Sequence, residues 1–313
     1  MFARFRRRRV PALLLSCAVL LGTTAACNNR AAEETELVKA LGRLADTEDI
    51  RKNIRFADEA VAIRFPRGSA NWRKLIGRGS TRLQPEVTDL AAYGIRLDNS
   101  EHVVTAGTPL RDVTLVAGGQ DPVAVADHLF TVGWRDDGRG QVAPRALTED
   151  GLRFLPLALP RVHGEGFDLF IGGDDANWDD VRAAPVRSLA ANPTIRALAD
   201  CLGDVVAANI RTQVRDERPY VLAAGVHRKG AGSGKPAEVV VCSSWSTAED
   251  MDRSVTEQRQ EYAQGRPGEV FRDVEVTAVG GERHLVRVTA DSGEPDAILA
   301  MLDHGDAPAM QDG

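Results

Sequence analysis

Two stretches of this chain repeat one pattern: a run of β-branched residues, a capped amphipathic helix, then further strands. The first is "VTLVAGGQDPVAVADHLFTVGW", from Val113 to Trp134. Asp121 is placed to cap a helix and Pro122 to open it. Val125, Leu129 and Val132 form its apolar stripe, and Gly133 ends it. A strand, "FDLFI", follows at 167–171. The second stretch is "EVVVCSSWSTAEDMDRSVTEQRQEYAQG", where Ser246 and Glu249 predict a capping box before a helix carrying Met251, Val255 and Tyr262. "VEVTAV" and "HLVRVT" come next, joined through Gly280 and Gly281 as a hairpin. Each stretch reads as a β-α-β-β-like unit. Strands outnumbering helices in this order predict an α+β fold: mainly antiparallel sheets with helices packed on one face.

The rest of the chain fits that frame. Leu37, Leu41 and Leu44 share one face of a helix expected over Glu34–Ala45. Asn192 and Pro193 repeat the cap-then-proline start, with Ile195, Leu198 and Leu202 as the stripe and Gly203 as the stop. Pro295 opens a last helix through Ile298, Met301 and Leu302. Further strands are expected at 101–106, 112–117, 204–210, 220–227 and 238–245. The expected organisation is a signal peptide at 1–26, a lipidated tether at 27–35, an N-terminal α+β unit at 36–190, a C-terminal α+β unit at 191–305 packed against it, and a disordered tail at 306–313.

The N-terminus carries the compartment argument. Arg4, Arg6, Arg7, Arg8 and Arg9 precede "VPALLLSCAVLL", and no acid occurs before Cys27. That apolar run is shorter than the ~20 residues of a membrane span and has the length of a signal-peptide core. Small residues Thr23 to Ala26 lead into Cys27, as in a bacterial lipoprotein signal. Thr24 stands where that signal usually has a large aliphatic residue, and Thr24 with Ala26 also fits ordinary signal-peptidase cleavage. The arginine run hints at twin-arginine export, which Pro11 interrupts. Without the five signal arginines, 34 Lys and Arg remain against 45 Asp and Glu. So acidic a chain, with 5% aromatic residues, argues against nucleic-acid binding, which needs clustered Lys and Arg. Cys17 leaves with the signal and Cys27 is assigned to lipid. Cys201 and Cys242 remain as an even pair in an oxidising space, read as a disulfide, with two separate buried thiols as the alternative.

The signal, "GIRLDNSEHVVTAGTPLRDVTLVAGGQDPVAVADHLFTVGW", "SLAANPTIRALADCLGDVVAA" and the late "CSSWSTAEDM" with "VEVTAVGGERHLVRVTA" resemble a group of uncharacterised lipoproteins from high-GC Gram-positive bacteria. The resemblance implies an exported, lipid-anchored protein. It brings no catalytic residue with it.

Chemical motifs are sparse. In "GGDDANWDD", Asp175, Asn177 and Asp179 match the first ligand positions of an EF-hand loop, but Asp180 replaces its glycine and Val186 its final glutamate. A solvated loop is the expected role. "GAGSGK" lacks the first glycine and the closing Ser or Thr of a phosphate loop, so it reads as a hairpin connection. His102, His128, His163, His227, His284 and His304 show no zinc spacing. Ser243, Ser244 and Ser246 follow Cys242 at a strand end, where helix capping explains them. Trp72, Trp134, Trp178 and Trp245 are expected to pack, with a ligand groove as the alternative. No cofactor is expected. The expected function is non-catalytic: an extracytoplasmic, membrane-anchored lipoprotein binding an envelope protein or a small ligand. An exported hydrolase with dispersed catalytic residues is the alternative.

Overall fold

The computed structural model describes residues 34–64, 70–83, 90–108, 111–143, 155–173, 175–181, 185–215, 218–229, 235–264, 270–280 and 283–304. The expected signal peptide, Cys27 and the tether up to residue 33, all of "GAGSGK" except Lys235, Gly281 of the expected hairpin turn and the tail at 306–313 lie outside the described residues.

The first half of the chain runs α1 (Glu36–Gly42), α2 (Glu48–Lys52), β1 (Asn53–Ala57), α3 (Glu59–Arg64), α4 (Ala70–Arg73), β2 (His102–Ala106), β3 (Val113–Ala117), α5 (Pro122–Thr131), β4 (Arg135–Asp136), β5 (Gln141–Val142), α6 (Leu155–Ala158), β6 (Arg161–Glu165) and β7 (Asp168–Gly172). The second runs α7 (Pro193–Leu202), β8 (Val205–Arg215), β9 (Arg218–His227), β10 (Ala237–Trp245), α8 (Ala248–Gln264), β11 (Phe271–Val279), β12 (His284–Ser292) and α9 (Ala297–His304).

The helix starts follow from their caps. The Asp121 carboxylate accepts from the Ala124 amide, and the Asn192 side chain accepts from Thr194 and Ile195. Each satisfies amides that the first turn leaves unpaired, typically worth about 1 kcal/mol. α8 starts one residue later than the expected capping box. The hydroxyl of Thr247, not Ser246, accepts from the Asp250 amide and donates to the Asp250 carboxylate.

All the described strands join one 12-stranded sheet, ordered β11-β12-β10-β9-β8-β1-β2-β3-β7-β6-β5-β4, and every pairing is antiparallel. The order contains a repeat. β1-β2-β3 are followed by α5 and the β6–β7 hairpin, which lies as β3-β7-β6. β8-β9-β10 are followed by α8 and the β11–β12 hairpin, which lies as β10-β12-β11. The two sets meet where β1 pairs with β8, Arg55 opposite Asn209.

One row of opposed residues crosses both sets: Val162, Ile171, Thr114, Thr105 and Arg55, then Asn209, Ala224, Val241, Val288 and Val276. Val162 of β6 and Val276 of β11 are therefore equivalent positions. Among the described residues, the first set alone carries an insertion: β4 and β5 extend the sheet beyond β6, with Gln141 opposite Val162.

Helices lie on both faces, which corrects the expectation of one. α1 and α7 cover the first face, packing Leu37, Leu41, Ile195 and Leu198 on Phe56, Val104, Leu115 and Val240. On the second face, α8 and α9 pack Val255, Tyr262 and Leu302 over Val241 and Val288, while α5 and α6 pack Leu129 and Leu155 around Trp134 and Ile171. The physical reason lies in β2 and β3, each buried at all five positions. A strand buried on both sides needs cover on both sides.

Candidate functional site

Cys201 and Cys242 lie at disulfide distance, with their Cα atoms 6.3 Å apart. α7 brings Cys201 down onto β10, with Cys242 fully buried. Beyond this bridge, where β9 and β12 begin and β10 ends, a groove of about 370 Å³ is lined by Thr194, Val221, Ser244, Trp245, Arg283 and His284, among others. Strand alternation sends Val221 and Ser244 toward α7, and Tyr220 and Trp245 to the opposite face. There the two rings stack, centroids 5.2 Å apart and planes 4° from parallel. The Trp245 indole N–H donates to the Ser243 hydroxyl. The serines after Cys242 thus divide between a groove wall and support for an aromatic pair.

A larger groove, about 570 Å³, separates α8 from β11. Arg259, Tyr262 and Ala263 come from the helix; Val274, Glu275, Val276 and Thr277 come from the strand. Tyr262 and Val276 also belong to the core, so the groove has an apolar floor. Arg259 spans it and donates to the Val276 carbonyl at 2.9 Å. Burial, then the Glu261 carboxylate, pushes the Tyr262 phenol well above its usual range. The volume lies within the ~300–1,000 Å³ usual for small-ligand sites.

Two buried titratable groups lie elsewhere. Glu59 is fully buried, and its carboxylate accepts from the amides of Gly77 and Gly79. Gly77 has φ +80°, and a Cβ on Gly79 would come within 2.7 Å of the Val103 carbonyl oxygen, so this turn needs both glycines. Burial raises the Glu59 pKa to about 7 against the lowering effect of those amides. His102 lies on β2 among Glu36, Arg43 and Asp168, and burial lowers its pKa to about 4. Its Nδ1 is 3.9 Å from Glu36, too long for a hydrogen bond.

A charged cluster spans the β1–β8 seam. Asp303 accepts from Arg55 at 2.8 Å, Asn209 at 3.0 Å and Arg78 at 3.4 Å, and Arg78 also pairs with Asp296 at 2.8 Å. It fastens α9 across both halves of the sheet and serves as a structural clamp.

The remaining candidates are dispersed. His128 is exposed on α5. His163 stacks on Trp178 with centroids 6.2 Å apart. His227 pairs with Glu238 at 2.6 Å, and His304 contacts the Ala300 carbonyl. His284 lines the groove beside Ser244 and Trp245. Trp72 and Trp134 are core residues, and Trp134 donates to the Leu159 carbonyl. Asp179 and Asp180 belong to a turn in which Asn177 accepts from the Asp179 amide and donates to Asp180. Among the described residues no group of three His, Cys, Asp or Glu side chains converges as a metal site. Also among them, no helix is long and apolar enough to cross a membrane. Sequence reasoning read Tyr262 only as core and missed Arg259 and β11 as groove walls, because no local motif marks a strand as the last in its sheet.

Comparison with protein-family models, curated proteins and solved structures finds no match to this chain.

Proposed function

We propose that this is an extracytoplasmic binding protein, held to the cell membrane by lipid on Cys27, whose partner occupies the groove between α8 and β11. The groove carries the reading. It joins an apolar floor to a polar rim, the composition of a recognition site. The anchor rests on the signal-like run ending at Cys27 and on the resemblance to lipoproteins. Two acyl chains on that cysteine hold a protein stably where one does not. The partner is another envelope protein or a small molecule near the bilayer, since the tether from Cys27 to Thr35 reaches only about 30 Å when extended.

A photo-crosslinking side chain at position 263, in membranes, tests this. The expected result is a reproducible adduct that is absent with the same group at exposed Val186, and lost when Cys27→Ala frees the protein. Saturable turnover of an ester or peptide substrate by the purified protein, abolished by one Asp, His or Ser replacement, would instead establish the exported hydrolase.

A further inference from the structure

We infer that β11 is an acceptor for an added strand: an extended basic peptide pairs along its outer edge and seats an apolar side chain in the groove beneath α8. This rests on the binding reading above and names the partner's chemistry.

The two ends of the sheet differ. At one end β4 is only two residues long, a short edge that offers little to pair with. At the other end β11 runs for nine residues. Its irregularity is confined to a bulge between Arg272 and Glu275, with Asp273 at φ +51°, and the ladder from Glu275 to Val279 is regular. As the last of the described strands, β11 turns alternate N–H and C=O groups away from β12. The Arg259 guanidinium meets the carbonyl of Val276, as an incoming N–H would.

The repeat supplies the second argument. β6 is the equivalent of β11, and β6 does carry an added strand. β5 pairs with it antiparallel, placing Gln141 opposite Val162 and Val142 opposite Arg161. The chain thus performs on its first half, with its own segment, the pairing inferred for its second half. The position opposite Val276, equivalent to that of Gln141, is where the peptide would lie.

Charge selects the peptide. α8 carries Glu249, Asp252 and Glu257 on its exposed side, and β11 adds exposed Asp273 and Glu275. On these two elements carboxylates outnumber the guanidinium groups of Arg253, Arg259 and Arg272. A segment alternating cationic and apolar residues turns its apolar side chains into the groove beneath α8 and its cationic ones to the opposite face, where Glu275 lies, within the field of this acidic end of the sheet. Groove-and-edge recognition of this kind takes its affinity from main-chain hydrogen bonds and its specificity from alternate side-chain pockets.

The test uses the purified full-length mature protein and three fluorescent nine-residue peptides: one alternating Arg and Val, one with Glu for Arg, and one alternating Arg and Val with N-methylated amides. The Arg peptide is expected to saturate in anisotropy and to weaken by at least about tenfold in high salt, as screening of the acidic rim demands. The Glu and N-methylated peptides should bind at least about tenfold more weakly, since each lacks one half of the recognition. Hydrogen exchange should slow within 274–279. Ala263→Arg, at an exposed position in the last helical turn where a cation suits the dipole, should keep the fold and weaken the Arg peptide by a similar factor. Val186→Arg, at an 84% exposed site, should leave binding unchanged. Equal binding of the N-methylated peptide, protection confined elsewhere, or a dimer that Ala263→Arg dissociates would overturn strand addition. If position 263 still crosslinks a partner while all three peptides are inert, the groove reading stands and the peptide inference falls. Loss of both removes both.

Discussion

Replacing Glu59 by Gln tests the buried carboxylate directly. With its folded pKa raised from 4.5 to about 7, Glu59 keeps its proton in the folded chain over a range where the unfolded chain loses it. Its stabilising contribution is complete below pH 4.5 and is lost as pH rises through 7. At about 1.4 kcal/mol per pH unit, the loss across that window is about 3 kcal/mol. Gln stays neutral throughout and can still accept from the Gly77 amide, but its NH₂ cannot reproduce every bond of the carboxylate. That change costs about 1 kcal/mol at any pH. The variant should therefore be similar to or slightly less stable than the wild type at pH 5, and more stable by about 2 kcal/mol at pH 8. Urea unfolding of both proteins at the two pH values measures this. Other titrating groups cancel in the difference, which should change by about 2.5 kcal/mol between them. A difference independent of pH would refute the reasoning, because Glu59 would then titrate alike in both states.

Three further outcomes are expected. Replacing Cys201 and Cys242 together by Ala reopens a loop spanning a sequence separation of 41, which should lower unfolding free energy by about 4 kcal/mol in the chain-entropy model. Thiol labelling of the unreduced, denatured wild type should find neither cysteine reactive, and substantial labelling would sink the bridge. Asp303→Ala strands Arg55 and Arg78 at the seam and should cost about 3 kcal/mol, read as a lower urea midpoint, whereas a change within measurement error would mean the cluster is solvated. Cys27→Ala should abolish fatty-acid incorporation and either release the protein or leave its precursor uncleaved; a wild type that takes up no label refutes the anchor.

Local signals were legible in the sequence where they were self-contained. Asp121-Pro122 and Asn192-Pro193 marked two helix starts because cap and first residue are adjacent. The start of α8 was misread by one residue because Ser246 and Thr247 are both hydroxyls and each has an acid three residues on. The α+β class and antiparallel pairing followed from the strand–helix–hairpin pattern. β1 escaped because "NIRFA" is five residues long with no turn signal before it. "HVVTA" and "VTLVA" carry apolar residues at adjacent positions and no charged residue on either face, a sign of strands buried on both faces, and reading them so would have predicted helices on both sides. The groove was not legible. It depends on β11 being last in the strand order, which is decided by pairings between β10, β12 and β11 and not by any residue in the groove itself.

The seam between β1 and β8 has a consequence for how the chain reaches this structure. Asn53 meets Arg211 there, so the pairing closes a loop of more than half the sequence, while each set's own strands are joined by shorter connections. The bridge between Cys201 and Cys242 lies wholly within the second half of the chain, tying α7 to β10. Loop-closure entropy then orders assembly: each set gathers around its own helix, and the seam forms last. Two fragments divided near residue 190 should accordingly recombine when mixed, with a concentration-dependent rate, into the sheet that the intact chain forms alone. In such a split pair the second fragment would keep its cross-link, and Arg55 facing Asn209 would become the contact across which two separate chains recognise each other.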